Sequence, residues 1–313
     1  MRTLRFHEYG VPLDVLRLED ADPPTPGPGQ IRVAVQTCGL NPADWALCGG
    51  LFAGDLPRGI GLEVAGTVDA LGDGVTGVAI GDAVLGPARY TGATAGASGQ
   101  ALLDVWVPRP PALDPVQAAA LPMAVETAYR GLDTLGVLDG EAGAGTAVLV
   151  HGAGSTVGYA AVQIAVRHGA RVLATAGATY ADALRAAGAE VTSYGDGMVE
   201  RVRALAGGPV DVALDAAPVS NALPDLVRTV TAPAHVLTLS DFAAADALGA
   251  RASFGTETTL RYDVLGEYAR LAAAGDFSVP VARTFPLEDW RTAAALSQSG
   301  QARGKLVLQI GSP

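Results

Sequence analysis

The stretch Val148–Gly158, VLVHGAGSTVG, carries the residues best suited to chemistry: an apolar run that breaks into glycines at 152, 154 and 158. Glycines at such a break let the chain turn sharply after a strand and let backbone N–H groups come close to an anion. The common dinucleotide spacing, G-x-G-x-x-G, asks for glycine at 157, where this chain has Val157. The loop is off-pattern, so its meaning depends on the elements around it. Gly152 and Gly154 would permit the turn and a close backbone approach, and Gly158 would let the next helix pack on a sheet. Amides at the helix start, Thr156 and Val157 among them, would face a pyrophosphate. Ser155 is placed to cap that helix or to touch a phosphate oxygen.

Elements able to position such a loop follow in regular order. Strand AVLVH leads to helix VGYAAVQIAVRHG, strand RVLATA to helix YADALRAAG, and EVTSY to helix MVERVRALAG. DVALDA then precedes helix ALPDLVRTV, and HVLTLS follows. Strands alternating with helices predict a doubly wound parallel sheet of α/β class. The chain before it reads as short strands and Gly-Asp turns, as in a barrel-like β domain. Between them, DPVQAAALPMAVETAYRGLDTLG reads as alanine-rich helix with Asp114 as N-cap. The tail, with a helix through Leu296 and KLVLQI, reads as mixed and is expected to return to the first domain.

Composition narrows the function classes. The 313 residues are 49% hydrophobic and 17% charged, a balance for compact domains rather than disorder. A formal net charge of -11 without a basic cluster makes nucleic acid and anionic membrane poor partners. Two cysteines, Cys38 and Cys48, cannot build a disulfide framework. The start, MRTLRFHEYG, lacks an apolar signal core, so the expected setting is reducing and cytoplasmic. The long uncharged window from Glu141 to Arg167 is broken by glycines into strand, turn and helix, which argues against a membrane span.

The end of the second strand bears on the cofactor. NAD sites usually place an acid there for the ribose 2′-hydroxyl. LATAGATYADALRAAG has none before Asp182, and no basic residue before Arg185. Hydroxyls of Thr175, Thr179, Tyr180 and Tyr194 are what remains. NADPH is the expected cofactor, with NADH as the alternative.

CGLNPADW, GLEVAGTV, GDAVLG, AAALPMAVETAYRGL, VLVHGAGSTVGYAAVQIA, DVALDAAP and RGKLVLQI together resemble the medium-chain dehydrogenase/reductase superfamily. Within it, the chain resembles the zinc-independent quinone oxidoreductase branch over nearly its whole length. The resemblance implies a GroES-like, mainly β catalytic domain from both chain ends (1–120 and 257–313), a central Rossmann domain (121–256), and NADPH in the cleft between them. It also implies a homodimer through Rossmann sheet edges near ARASFGTET, and places Thr127, in ETAY, beside the nicotinamide. The family loop resembles A-x-x-G-x-x-G; Ser155 stands at its central glycine, and Gly154 is expected to supply flexibility one residue earlier.

Zinc-dependent relatives ligate metal at positions that match Asn41 and Leu62. Leucine has no lone pair and an amide is a poor zinc ligand, so no catalytic zinc is expected. His7, His151, His168 and His235 form no metal-spaced cluster, and His151 reads as structural. Asn41 is the candidate donor to a substrate or ribose oxygen, with Pro42 fixing the turn and Asp44 organising it. Some family enoyl reductases use a tyrosine as proton donor where this chain has Phe52. Phe52 and Tyr90 are substrate-cleft candidates, and residues 88–100, ARYTGATAGASGQ read from Ala88 to Gln100, are expected to be a mobile loop edging the cleft. Cys38 and Cys48 read as inert thiols.

The leading expectation is NADPH-dependent, zinc-free hydride transfer to a quinone or related conjugated carbonyl. Reduction of an enone, alkenal or enoyl thioester is the alternative, and a redox-inactive NADPH-binding sensor is the second.

Overall fold

The computed structural model describes residues 1–218, 221–255 and 258–311. The chain divides into two compact units, Met1–Met123 with Tyr262–Pro313, and Ala124–Arg261.

The first unit starts with β1 (Arg2–Phe6), α1 (Pro12–Val15), β2 (Leu16–Asp20), β3 (Ile31–Leu40), α2 (Pro42–Cys48) and β4 (Arg58–Gly59). It continues with β5 (Glu63–Leu71), β6 (Ala83–Pro87), β7 (Gln100–Leu103), β8 (Val107–Pro108) and α3 (Pro115–Ala118). Next, α4 (Pro122–Thr134) carries the chain into the second unit. The alanine-rich stretch expected as one helix is thus two. Pro122 lacks an N–H and disfavours helical geometry at Leu121, which separates α3 from α4. Asp114 does cap α3, accepting from the amides of Val116 and Gln117.

The second unit holds β9 (Ala147–His151), α5 (Thr156–Arg167), β10 (Arg171–Thr175), α6 (Ala178–Ala186), β11 (Glu190–Thr192) and α7 (Met198–Ala206). It ends with β12 (Val212–Asp215), α8 (Leu223–Thr229), β13 (Val236–Thr238), α9 (Phe242–Leu248) and β14 (Arg251–Ala252). Its sheet is parallel with order β11-β10-β9-β12-β13-β14. Val148, Leu149 and Val150 of β9, Leu173 of β10 and Leu214 of β12 are fully buried, as parallel strands covered on both faces require. The order reverses beside β9, and such switch points leave a crevice at the carboxyl ends of the strands.

The first unit is completed by α10 (Leu265–Ala274), β15 (Val281–Pro286), α11 (Trp290–Gln298) and β16 (Lys305–Gln309). Its larger sheet runs β15-β16-β3-β5-β6-β8, with β7 also on β3. There Leu306–Leu308 of β16 pair with Leu40–Cys38 of β3, so β16 is built into the sheet between β15 and β3. A smaller sheet, β2-β1-β4, packs its Leu4, Phe6 and Leu16 into the same core.

Within residues 88–100, expected as a mobile loop, Ala95–Ser98 are packed into the fold, whereas Thr91, Gly92 and Ala93 are exposed. Ala95, Ala97 and Ser98 are fully buried. Gly96 and Ala97 donate to the carbonyls of Gly61 and Ile60, and Leu4 donates to Ala97. A Cβ on Gly59 or Gly61 would lie 2.4 Å from the amide of Ala95 or Ala97. Small residues here serve direct backbone packing, which fixes the segment.

Candidate active site

The glycine loop after β9 has the geometry of an anion cradle. Gly152 has φ +72, and a Cβ there would meet the Ala217 amide at 2.7 Å. A Cβ on Gly158 would stand 2.3 Å from the Gly152 carbonyl oxygen. Both positions therefore require glycine. Gly154 does not: its φ is outside the left-handed region, and its Cβ would find Tyr180 at an ordinary 3.5 Å. The flexibility expected of Gly154 is thus supplied by Gly152.

Ser155 is the N-cap of α5. Its Oγ accepts from the Gly158 amide at 3.0 Å and donates to the Ala216 carbonyl at 2.8 Å. Of the two roles expected for Ser155, the capping role is the one its hydroxyl fills. The Ala153 amide is taken by the Thr175 carbonyl and the Ser155 amide by that of Gly152. Among the described residues, no acceptor meets the amides of Gly154, Thr156 and Val157. Three donors thus converge at the positive end of a twelve-residue helix.

Thr175, expected to offer its hydroxyl to the cofactor, is fully buried and committed elsewhere. It lies 2.8 Å from Nδ1 of His151 and accepts from the Gly152 amide at 3.3 Å. Its work is to hold the loop from below. Burial keeps the His151 imidazole below the usual histidine range, against the opposing pull of Asp215. Tyr194 is 60% exposed, and its hydroxyl stands 3.7 Å from where a Cβ of Gly177 would be. Arg201 went unnoticed in the sequence because it lies in α7, well beyond the end of β11. It donates to the carbonyls of Ser193, Tyr194 and Asp196 and so pins the Tyr194 loop.

In the first unit a buried polar cluster surrounds Asn41 at the start of α2. Its Nδ2 donates to Glu63 Oε1 at 2.9 Å, and its Oδ1 accepts from Lys305 Nζ at 2.6 Å. Lys305 also pairs with Glu63 Oε1 at 2.5 Å, and Glu63 Oε2 accepts from the Met123 amide at 2.8 Å. Asp44 is fully buried and accepts from the amides of Asn41 and Gly61. Burial pushes its carboxyl up to about 7, against those two hydrogen bonds. Lys305 stands in the motif RGKLVLQI, but 264 residues separate it from Asn41 and no sequence pattern tied the two together.

Phe52 follows α2 with φ +53, uncommon for a bulky residue, and is 45% exposed. Its ring centroid is 6.2 Å from that of Tyr90. The buried Arg58 ties the two together, donating to the carbonyl of Phe52 at 2.5 Å and that of Tyr90 at 3.3 Å. Thr127, in the second unit, donates to Glu126 Oε2 at 3.2 Å. Glu126 is paired with Arg130 and accepts from the Arg261 amide, which steadies this part of α4.

The donor set does not suit a catalytic zinc. Leu62 is buried and apolar, and the Oδ1 of Asn41 faces an ammonium. Among the described residues, no three His, Cys, Asp or Glu side chains gather as a metal site. Cys38 and Cys48 are buried free thiols; burial pushes the first well up and the second to about 12. No helix among the described residues is long and apolar enough to cross a membrane.

Comparison with known proteins agrees with this architecture. Residues 27–103 match the family model of the alcohol dehydrogenase GroES-like domain, and residues 187–308 that of zinc-binding dehydrogenase. The quinone oxidoreductase of Rattus norvegicus is 38% identical over 180 residues, 56% of this chain and 53% of that protein. The phthioceranic/hydroxyphthioceranic acid synthase of Mycobacterium tuberculosis is 34% identical over 311 residues, 91% of this chain and 14% of the synthase. The chain therefore spans about half the length of the first relative and a small part of the second. The solved quinone oxidoreductase of Coxiella burnetii superposes with TM-score 0.80 at 26% identity, over 99% of both chains. The chain belongs to the medium-chain dehydrogenase/reductase superfamily, on its quinone oxidoreductase branch. Its central unit is the Rossmann fold, and its first unit is GroES-like.

Proposed function

We propose that this chain is an NADPH-dependent, zinc-independent oxidoreductase that passes hydride to a quinone or a related conjugated carbonyl. The observation that carries the reading is the cradle at α5, at the switch point of a parallel sheet, where the amides of Gly154, Thr156 and Val157 meet no acceptor among the described residues. Such a cradle suits a pyrophosphate. No acid stands between Thr175 and Asp182 to bind a ribose 2′-hydroxyl, which favours NADPH over NADH.

A reduced nicotinamide, when bound, supplies the hydride. The chain's own residues bind, orient and exclude water. Gly152 and Gly158 allow the cradle, Ser155 caps it, and Thr175 supports it. Thr127 is assigned to the nicotinamide by family resemblance. Asn41 keeps one Nδ2 proton after its bond to Glu63, and that proton can polarise the acceptor's oxygen. The ammonium at Asn41 Oδ1 and the side chain of Leu62 support the absence of zinc from the reaction.

Following NADPH absorbance with a panel of quinones tests the proposal. Turnover without added metal is expected, and a larger thermal shift with NADPH than with NADH. Absence of oxidation with every acceptor, despite tight cofactor binding, would leave the sensor reading instead.

Reduction of an enone or enoyl thioester is the second reading, favoured by Tyr90. Its ring lies beside Phe52 and offers a phenol where Phe52 has none. Enone reduction that Tyr90→Phe abolishes, with quinone turnover absent, would establish it. A homodimer through the outer strand β14 is also inferred; the segment proposed for it includes Thr256 and Glu257, which lie outside the described residues. Light scattering of the full chain would read a monomer mass if that is wrong. Buried free thiols and an acidic surface balance fit a reducing, cytoplasmic setting.

A further inference from the structure

Lys305 is the only lysine in the chain, and it is almost completely buried. Lysine is seldom buried without a partner, because taking an ammonium from water is unfavourable unless charge and hydrogen bonds compensate. Here both compensations come from two side chains, Glu63 and Asn41.

The chemistry of the three groups fixes the amide's orientation. An ammonium only donates, so Lys305 must face the amide oxygen. The Glu63 carboxylate, paired with Lys305, accepts, so it must face the amide nitrogen. A flipped Asn41 would set NH2 against ammonium and carbonyl against carboxylate at once. The main chain of Asn41 is held as well, by its amide's 2.7 Å bond to Asp44. One hydrogen on Nδ2 is left, with no acceptor among the described residues.

We propose that Lys305 and Glu63 are positioning residues for Asn41, holding its amide so that the remaining Nδ2 proton is presented to the oxygen of a bound acceptor. The Lys305 ammonium also draws electron density through the amide carbonyl, which makes the Nδ2 proton a better donor. Two separate parts of the first unit, β5 and the closing strand β16, thereby set one donor at the start of α2. The inference rests on Asn41 acting as a donor to the acceptor, as proposed above.

A double-mutant cycle on the full chain tests it, with Lys305→Met, Asn41→Ala and the double variant. Quinone reduction is read as separate kcat and KM, and NADPH binding as a fluorescence titration. Lys305→Met is expected to lower kcat on the order of tenfold or more, with NADPH affinity unchanged. In the Asn41→Ala background it should lower kcat no further. An unchanged kcat in Lys305→Met, or losses that multiply, would overturn the proposal. If Lys305→Met does not fold, Glu63→Gln with Lys305→Met removes both charges together and is read the same way.

The single lysine provides a readout independent of turnover. Protein carrying 15N only at the lysine Nζ gives one side-chain signal, that of Lys305. With NADP and a saturating hydroquinone, this signal should shift, and the shift should vanish in Asn41→Ala. Turnover with neither coupling nor shift defeats the positioning role and leaves the proposed function standing. No turnover with any acceptor defeats the function; the ligand-induced shift, present or absent, then decides the positioning role alone.

Discussion

The carboxylate of Asp44 on α2 accepts the backbone N–H of Gly61 at 2.7 Å, and so joins α2 to the turn between β4 and β5. Its second oxygen takes the Asn41 amide, also at 2.7 Å. Burial raises this carboxyl from 3.8 to about 7 despite both bonds, with Glu63 adding to the rise and Lys305 opposing it. A carboxyl that binds its proton more tightly in the folded state contributes stability that is complete below the unfolded value. That contribution is lost as pH rises through the folded one. The melting temperature of the wild type relative to Asp44→Asn should fall between about pH 4 and about pH 7 and level off above. A difference that grows with pH would mean that ionised Asp44 is the stabilised form.

Alanine at the three loop glycines should give two outcomes. Gly152→Ala forces a Cβ into the Ala217 backbone at a positive φ, and Gly158→Ala forces one into the Gly152 carbonyl. Each should lower stability by about 1–3 kcal/mol and abolish NADPH binding. Gly154→Ala meets only the Tyr180 ring at 3.5 Å, and its stability should change by less than about 0.5 kcal/mol. Urea unfolding with and without NADPH checks all three. Equal losses at the three positions would contradict the loop geometry.

Ser155→Ala removes the α5 cap and leaves the Ala216 carbonyl without its donor. A loss of about 1 kcal/mol is expected. NADPH affinity should fall with it, because the cap orders the free amides of Thr156 and Val157. Stability lost without any change in affinity would separate the helix cap from the ligand.

Arg58 holds Phe52 and Tyr90 through their carbonyls, and Phe52 carries a strained φ of +53. Arg58→Met should let the Phe52 turn relax and raise the KM for quinones more than it changes kcat. The complementary change, Phe52→Tyr, adds a phenol at a half-exposed ring and should raise enone reduction relative to quinone reduction. Acceptor panels with both variants provide the measurement.

The glycine loop after β9 was legible in the sequence because its signals are local. A strand, a glycine at the turn, a capping serine and a helix follow one another within Val148–Arg167, and each acts on near neighbours. The same holds for Asp114 as cap of α3. Phe52 and Tyr90 were singled out by family resemblance, and Asn41 by its place in a motif of that resemblance; their roles are proposals. The packing of Ala95–Ser98 was not legible, since small residues serve a mobile loop and a close backbone contact equally well. Only the partners across the fold, β1 and the turn after β4, distinguish these cases.

By itself the sequence determined the α/β class, the alternating central unit and the glycine loop that opens α5, since periodicity and turn chemistry are read within a few residues. The tertiary structure decided which polar groups remain available once the fold has used the rest. It committed Thr175 to His151, Ser155 to its helix and the amide of Asn41 to Glu63 and Lys305. Buried polar groups must find partners wherever the packing brings them, and those partners stand up to 264 residues away in the chain.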